Sequence, residues 1–414
     1  MKYTYKHTLH ACYTGLITQA AINNLAPLLF TVFQNEFGIS FEQVGRLILL
    51  NFGTQIAADF FTLKYADQIG HRRTVAAAQL LGVVGLVALS VLPHVMASPY
   101  LGLEIAVMIY GAGGGILEVL VSPIVNSLPG DAKDSAMSLL HSFYCWGQVG
   151  VVLITTGLLQ LVGRQFWEVI PVLWALIPLY NFYRFLKVPL MPLLPEEKRM
   201  PLKNLFKSKF FLIALIVMLC AGASELTMSQ WSSLFAERGL HVSKVLGDLL
   251  GPCLFAVFMG IGRTIYGIWG SKINLKKALL SSSALCVACY ATTVFAPLPL
   301  LSLLGCALCG FSVSLMWPGT FSLAAEEYAM GGTAMFGMLA VFGDIGGATG
   351  PWVAGLVSDL SQRTKQVIAL GQMYNLDLAQ LGLKCGLLTA TVFPLVILIC
   401  MLLFKRNKTI QKGS

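Results

Sequence analysis

Apolar runs of about 20 residues recur along almost the whole chain, separated by short polar breaks. Twelve can be marked, at residues 9–33, 41–64, 74–95, 100–126, 135–162, 166–187, 210–236, 246–270, 278–297, 299–325, 334–360 and 380–404. A helix of about 20 mostly apolar residues matches the roughly 30 Å hydrocarbon core of a bilayer. The pattern therefore predicts an all-α protein with twelve transmembrane helices. The most polar stretch, with four prolines and several lysines, lies between the sixth and seventh runs. It divides the chain into a six-helix bundle at 1–187, a linker at 188–209 and a second six-helix bundle at 210–414.

Composition agrees. The chain is 56% hydrophobic and 11% charged, against about 45–50% and about 25% in soluble domains, so it holds more apolar surface than a soluble fold can bury. The net charge of +9 does not point to nucleic acid, because the basic residues are spread over the breaks between runs. With both termini and the linker placed in the cytoplasm, 20 Lys and Arg fall inside, 7 fall outside and Arg263 lies within a span. That asymmetry sets the expected orientation, with both termini cytoplasmic in a cell membrane. Met1–Leu9 is short and polar and leads straight into a span, so no removable leader is expected. Ten cysteines lie almost entirely inside apolar runs, two pairs (Cys286/Cys289 and Cys306/Cys309) at C-x-x-C spacing. In that setting they read as small buried helix residues, and no metal, disulfide or cofactor is assigned.

The two halves look like repeats. Gly115, Pro123, Ser127 and Leu128 match Gly310, Pro318, Ser322 and Leu323 at an offset of 195. Gly147 and Gly150 match Gly343 and Gly346 at 196, and Arg72 and Arg73 match Lys276 and Lys277 at 204. Two parallel six-helix repeats place a substrate site near the bilayer midplane, between the halves.

Twelve spans, a basic central linker and a short charged loop after the second span resemble the major facilitator superfamily. Its loop signature, roughly G-x-x-x-D-R-x-G-R-R, is met by Asp67, Gly70 and Arg72, while Leu63, Gln68 and His71 depart from it. Within the superfamily the chain is similar to the fucose permease family of sugar–proton symporters. The motifs are Asn23-Asn24-Leu25 in the first span, Gly113-Gly114-Gly115-Ile116-Leu117-Glu118 with Ser122-Pro123 in the fourth, Ala223-Ser224-Glu225 with Trp231 in the seventh, and Trp317-Pro318 in the tenth. Where the family has an aspartate shortly after N-N-L, this chain has Ala26 and Pro27. The resemblance implies a functional monomer that works by alternating access.

An ionisable side chain at bilayer depth costs about 2.5–3.5 kcal/mol on insertion scales, so each is a functional candidate. Asp59, Glu118, Glu225, Arg263 and Asp344 lie at such depth. Gly111, Gly115, Glu118 and Ser122 share one helical face, where small residues allow close helix approach or leave room for a ligand. A carboxyl there is suited to take up a proton from one side and release it to the other. Glu118, Glu225, Asp344 and His141 are the candidates for proton coupling. Substrate contacts are expected from Gln19, Asn23, Asn24, Glu118, Gln148 and Glu225, with Phe143, Trp146 and Trp231 as ring platforms for a sugar face. Asn51, Gln55 and Asp59 form a polar stripe on the second span. Asp59, Asp67, Arg72, Arg73 and Arg263 are expected to gate the cytoplasmic side.

No G-x-x-x-x-G-K-[ST] phosphate loop is present, so direct ATP drive is not expected, and no nucleophile–base or metal cluster marks an enzyme. The sequence reads as a secondary transporter of a small polar solute, a monosaccharide or related polyol, by proton-coupled symport. The alternative is a proton-coupled exporter of drugs or amphipathic compounds on the same fold.

Overall fold

A computed structural model describes residues 3–128, 133–191, 205–269, 274–327 and 332–403. Most of the polar linker lies outside these residues, as do the side chains of Asp67 and His141. The described residues are helical almost throughout. The first half consists of α1 (Tyr5–Phe37), α2 (Phe41–Ile69), α3 (His71–Val95), α4 (Pro99–Ser127), α5 (Lys133–Val162) and α6 (Val169–Lys187). The second half begins with α7 (Lys209–Leu234), followed by α8 (Lys244–Asp248 and Leu254–Trp269, joined through a π turn). It continues with α9 (Leu275–Phe295), α10 (Pro299–Val313 and Met316–Glu327), α11 (Gly332–Ser361) and α12 (Leu378–Ala390 and Val392–Leu403). Ten helical segments are long and apolar enough to cross a membrane by length and composition. α2 and α11 complete the set at 29 and 30 residues. α1 and α12 place both ends of the described chain on one face of the bundle, called here the termini face; the opposite one is the far face.

Proline explains where helices break. A proline lacks the N–H that would bond the carbonyl four residues back, and its ring clashes there. Pro318 thus interrupts α10 at Ser314, Pro394 interrupts α12 at Ala390, and Pro252 accompanies the π turn that follows Asp248. Turns between helices are short. Gly38 ends α1 in the left-handed region at φ 65°, which glycine enters without steric cost. Ser40 then caps α2 by accepting from the Gln43 amide.

Glycines set how closely helices approach. A Cβ on Gly346 or Gly222 would sit 1.8 Å from the Leu219 carbonyl or 1.9 Å from the Gly343 carbonyl, so α7 and α11 pack backbone to backbone. On α4, Gly111 and Gly115 meet the α2 backbone at Asn51 and Gln55. The small-residue face of α4 is therefore filled by a helix rather than left open for a ligand.

The halves meet along α1 with α7, α2 with α11, and α5 with α8. The far face is closed by polar links. Asp359 accepts from the amides of Phe41 and Glu42 at 3.2 and 2.8 Å, and Trp352 donates to Glu42 at 3.0 Å. Arg164 pairs with Glu237 at 2.5 Å, and Arg238 donates to Asn35. Deeper in, a fully buried pair, Lys244 and Asp248 (2.6 Å), is completed by Ser233 and by Thr156 of the other half.

Candidate functional site

α1 is buried along most of its length, which makes it the central strut of the first half. Asn23 lies near its middle. Its Oδ1 accepts from Asn51 at 3.2 Å and Gln55 at 2.9 Å, both on α2, and its Nδ2 donates to the Tyr144 hydroxyl at 3.4 Å. The carbonyl of Asn23 is unused by its own helix, because the residue four positions on is Pro27. Gln230 of α7 donates to it at 3.1 Å. A proline on one half thus creates an acceptor that the other half reads. The space beside Asn23, Asn51 and Gln230 measures about 10 Å³, room for about one water. At this level the two halves are in contact and no solute fits.

One turn nearer the termini face, Gln19 donates to Glu118 at 2.7 Å. Glu118 is solvent-accessible, whereas Asp59, Asp344 and Glu225 are buried. Asp59 approaches Gly115 of α4, and its Oδ1 has no hydrogen-bond partner. Asp59, Glu118 and Asp344 lie within range of one another's charge, so three carboxyls from α2, α4 and α11 converge across the two halves. Beside them Arg263 reaches from α8 to Glu225 of α7 at 3.4 Å and to Cys145 of α5 at 3.6 Å. Gln148 of α5 donates to Ser229 of α7 at 3.0 Å.

The site candidates thus fall into separate polar groups, Gln19 with Glu118, Asn23 with Asn51, Gln55 and Tyr144, Gln148 with Ser229, and Glu225 with Arg263, with Asp59 and Asp344 facing the charge of Glu118. Asn24 bonds back to the Ala20 carbonyl at 2.9 Å. The aromatic candidates are placed elsewhere. Phe143 stacks on Tyr13, ring centroids 4.4 Å apart. Trp231 is 1% exposed, donates to the Pro351 carbonyl at 3.1 Å and packs on Phe41 in the far-face seal. Trp146 is 54% exposed. At 100° per residue it points about 160° away from Tyr144 and Gln148, on the opposite side of α5 from the polar region. Of the gating candidates, Arg72 bonds the Phe185 carbonyl at 2.8 Å within its own half. Arg73 lines a surface groove with Arg72 and Met191. Asp59 and Arg263 belong to the central region.

Four participants had weaker signals. Gln230 and Tyr144 stand one helical position from residues already singled out. The Asn23–Pro27 spacing is readable as a freed carbonyl. Lys244 stands among the outside charges and Asp248 inside the eighth run, and the helix Lys244–Asp248 brings the two together.

Twelve helices in two six-helix bundles, with polar and ionisable groups gathered between them, define a membrane transporter. The family model of the Major Facilitator Superfamily matches residues 11–351, and the chain belongs to that superfamily. No curated protein matches the chain in sequence. Among solved structures, the chain is similar to a bacterial homolog of the human lysosomal transporter Spinster in an inward-facing, occupied conformation (13% identity, 97% of each chain, TM-score 0.77). It is also similar to a variant of the E. coli fucose:proton symporter (18%, 96% and 98%, 0.62) and to a nucleoside transporter (12%, 96% and 99%, 0.73). At these identities the likeness shows the fold.

Proposed function

We propose that the protein moves a small polar solute, a monosaccharide or related polyol, by proton-coupled symport. On this reading it works as a monomer in the cytoplasmic membrane, with both termini in the cytoplasm. The observation that carries the reading is Glu118: an accessible carboxyl, bonded by an amide, within charge range of two buried carboxyls on other helices. Three carboxyls on three helices that face one another's charge across the halves give a transported proton its place in the proposal. With the far face sealed, the reading has Glu118 approached from the termini face, which makes this an inward-facing conformer if the termini are cytoplasmic.

The Gln19 amide links proton to solute. Gln19 Nε2 donates to Glu118 Oε2 at 2.7 Å, a bond that Glu118 can accept in either protonation state. A proton arriving on Glu118 adds an O–H donor, and the Gln19 amide can turn its carbonyl to accept from it and its NH₂ toward the cavity. The solute hydroxyls then meet a donor or an acceptor according to the proton. Opening the far face separates Gln230 from Asn23 and Gln148 from Ser229, which frees amides to bind the solute. The fucose:proton and D-xylose–proton symporters share the fold, which fits this class without fixing the sugar.

The test is uptake of labelled monosaccharides, polyols and nucleosides by liposomes holding purified protein, with and without an inward proton gradient, for wild type and Glu118→Gln. Gradient-stimulated uptake of a sugar or polyol, lost in the variant, is expected. Uptake indifferent to the gradient would remove the proton from the proposal; absence of sugar and polyol uptake by folded protein would remove the solute class.

A further inference from the structure

Glu36 ends α1, His94 ends α3 and Glu168 immediately precedes α6. These residues are far apart in sequence, yet their ligating atoms all lie within 4.8 Å of one another at the far-face rim. His94 Nε2 stands 3.4 Å from Glu168 Oε1 and 4.0 Å from Glu36 Oε1. We propose that this trio is a site for a divalent transition-metal ion of the Zn²⁺ class, on the outside face in the orientation proposed above.

Three features argue for it. First, the spacing fits: nitrogen and carboxylate donors about 2.0–2.2 Å from zinc lie about 3.4 Å apart in a tetrahedron. The His94–Glu168 separation already has that value, and Glu36 Oε1, 4.0 Å from His94 Nε2, has about 0.6 Å to close on the imidazole. Second, one imidazole with two carboxylates is a donor set that first-row divalent ions accept, and the fourth position faces solvent. Third, the ligands are held from behind. Trp167 Nε1 donates to Glu36 Oε2 at 2.6 Å, leaving Oε1 to face the imidazole. Ser90 fixes the Glu168 backbone carbonyl at 2.6 Å. Phe37 and Trp167 flank the His94 ring at centroid distances of 5.7 and 6.0 Å. Such outer-shell support is a mark of metal sites. The ion would tie the far ends of three helices of the first half together, next to the Asn35–Arg238 link to the second half.

The test is Zn²⁺ titration of chelator-treated, full-length protein in detergent, read by calorimetry and by thermal unfolding, with Co²⁺ quenching of Trp fluorescence as a second probe. One equivalent should bind saturably and raise the unfolding midpoint, and EDTA should reverse both. His94→Gln and Glu168→Gln should each weaken binding by at least about tenfold, and Trp167→Phe by about tenfold. His241→Gln, which removes the other exposed His–carboxylate pair at the rim (His241–Asp377, 2.8 Å), should leave binding unchanged. Either no saturable single equivalent in wild type, or binding undiminished in folded His94→Gln and Glu168→Gln, overturns the site. Sugar uptake plays no part in this readout, so its outcome is independent of the transported solute.

Discussion

Two groups of carboxyls set among the helices of this protein live by opposite rules. Asp248, near the far face, is matched by Lys244 at 2.6 Å, Ser233 at 2.5 Å and Thr156 at 2.8 Å. Its charge is neutralised locally and its oxygens are saturated with donors. Asp59, Glu118 and Asp344, at mid-depth, share one another's field. Their described partners include the Gln19 amide, and Asp59 keeps an oxygen without one. A buried acid with a lysine can stay ionised through every state of the protein. A cluster of acids is relieved only by protons that come and go. On the proposed function, residue type does not separate structural from working acids; the neighbour does.

Four experiments press on that contrast, from the largest expected effect to the smallest. Glu118→Gln should lower gradient-driven accumulation by at least about 100-fold, the scale of a lost positioned proton carrier, while exchange across equal pH survives; accumulation at wild-type level would place the working acid elsewhere. Asp248→Ala should destabilise the detergent-purified protein by about 3–5 kcal/mol, because it strands a buried ammonium. The apolar pair Lys244→Met/Asp248→Leu should recover most of that loss in the same thermal unfolding series, and no recovery would break the structural reading of this pair. Gln19→Ala should raise the KM for solute about tenfold, in line with about 0.5–1.5 kcal/mol per hydrogen bond, measured as initial uptake rates. Trp146→Phe should change uptake and stability by less than about twofold, as expected for a side chain away from the polar region; a large loss of uptake would put the ring in the solute path.

The sequence carried the fold well because membrane spans announce themselves through length and apolar content. It also carried the acids, since a charge at bilayer depth is conspicuous whatever its neighbours. Rotation about each helix axis was harder. The helical period alone sets Trp146 and Gln148, two residues apart, on opposite sides of α5, but which side meets the other half is decided by packing: Gln148 bonds Ser229 while Trp146 is exposed. The glycine face of α4 allowed two readings, and only the backbone of α2 seated against Gly111 and Gly115 decides between them. Lys244 was counted with the outside charges, and Asp248, inside the eighth apolar run, was not singled out, because the pair exists only once five helical residues beside a proline-bearing turn bring the two together. The freed carbonyl of Asn23 was legible from Pro27, but its partner Gln230 lies 207 residues away, beyond any local rule.

Asp359 gives the closed far face a further meaning. Its carboxylate takes the first two amides of α2, while Ser40 takes a third. The opening turn of one half is therefore completed by a side chain of the other. Whenever the far face parts, α2 loses part of its cap and its first turn is left to water alone. On the proposed cycle, the amides of Phe41 and Glu42 lose their Asp359 partner each time the far face opens, so their hydrogen exchange should rise with the time the far face spends open.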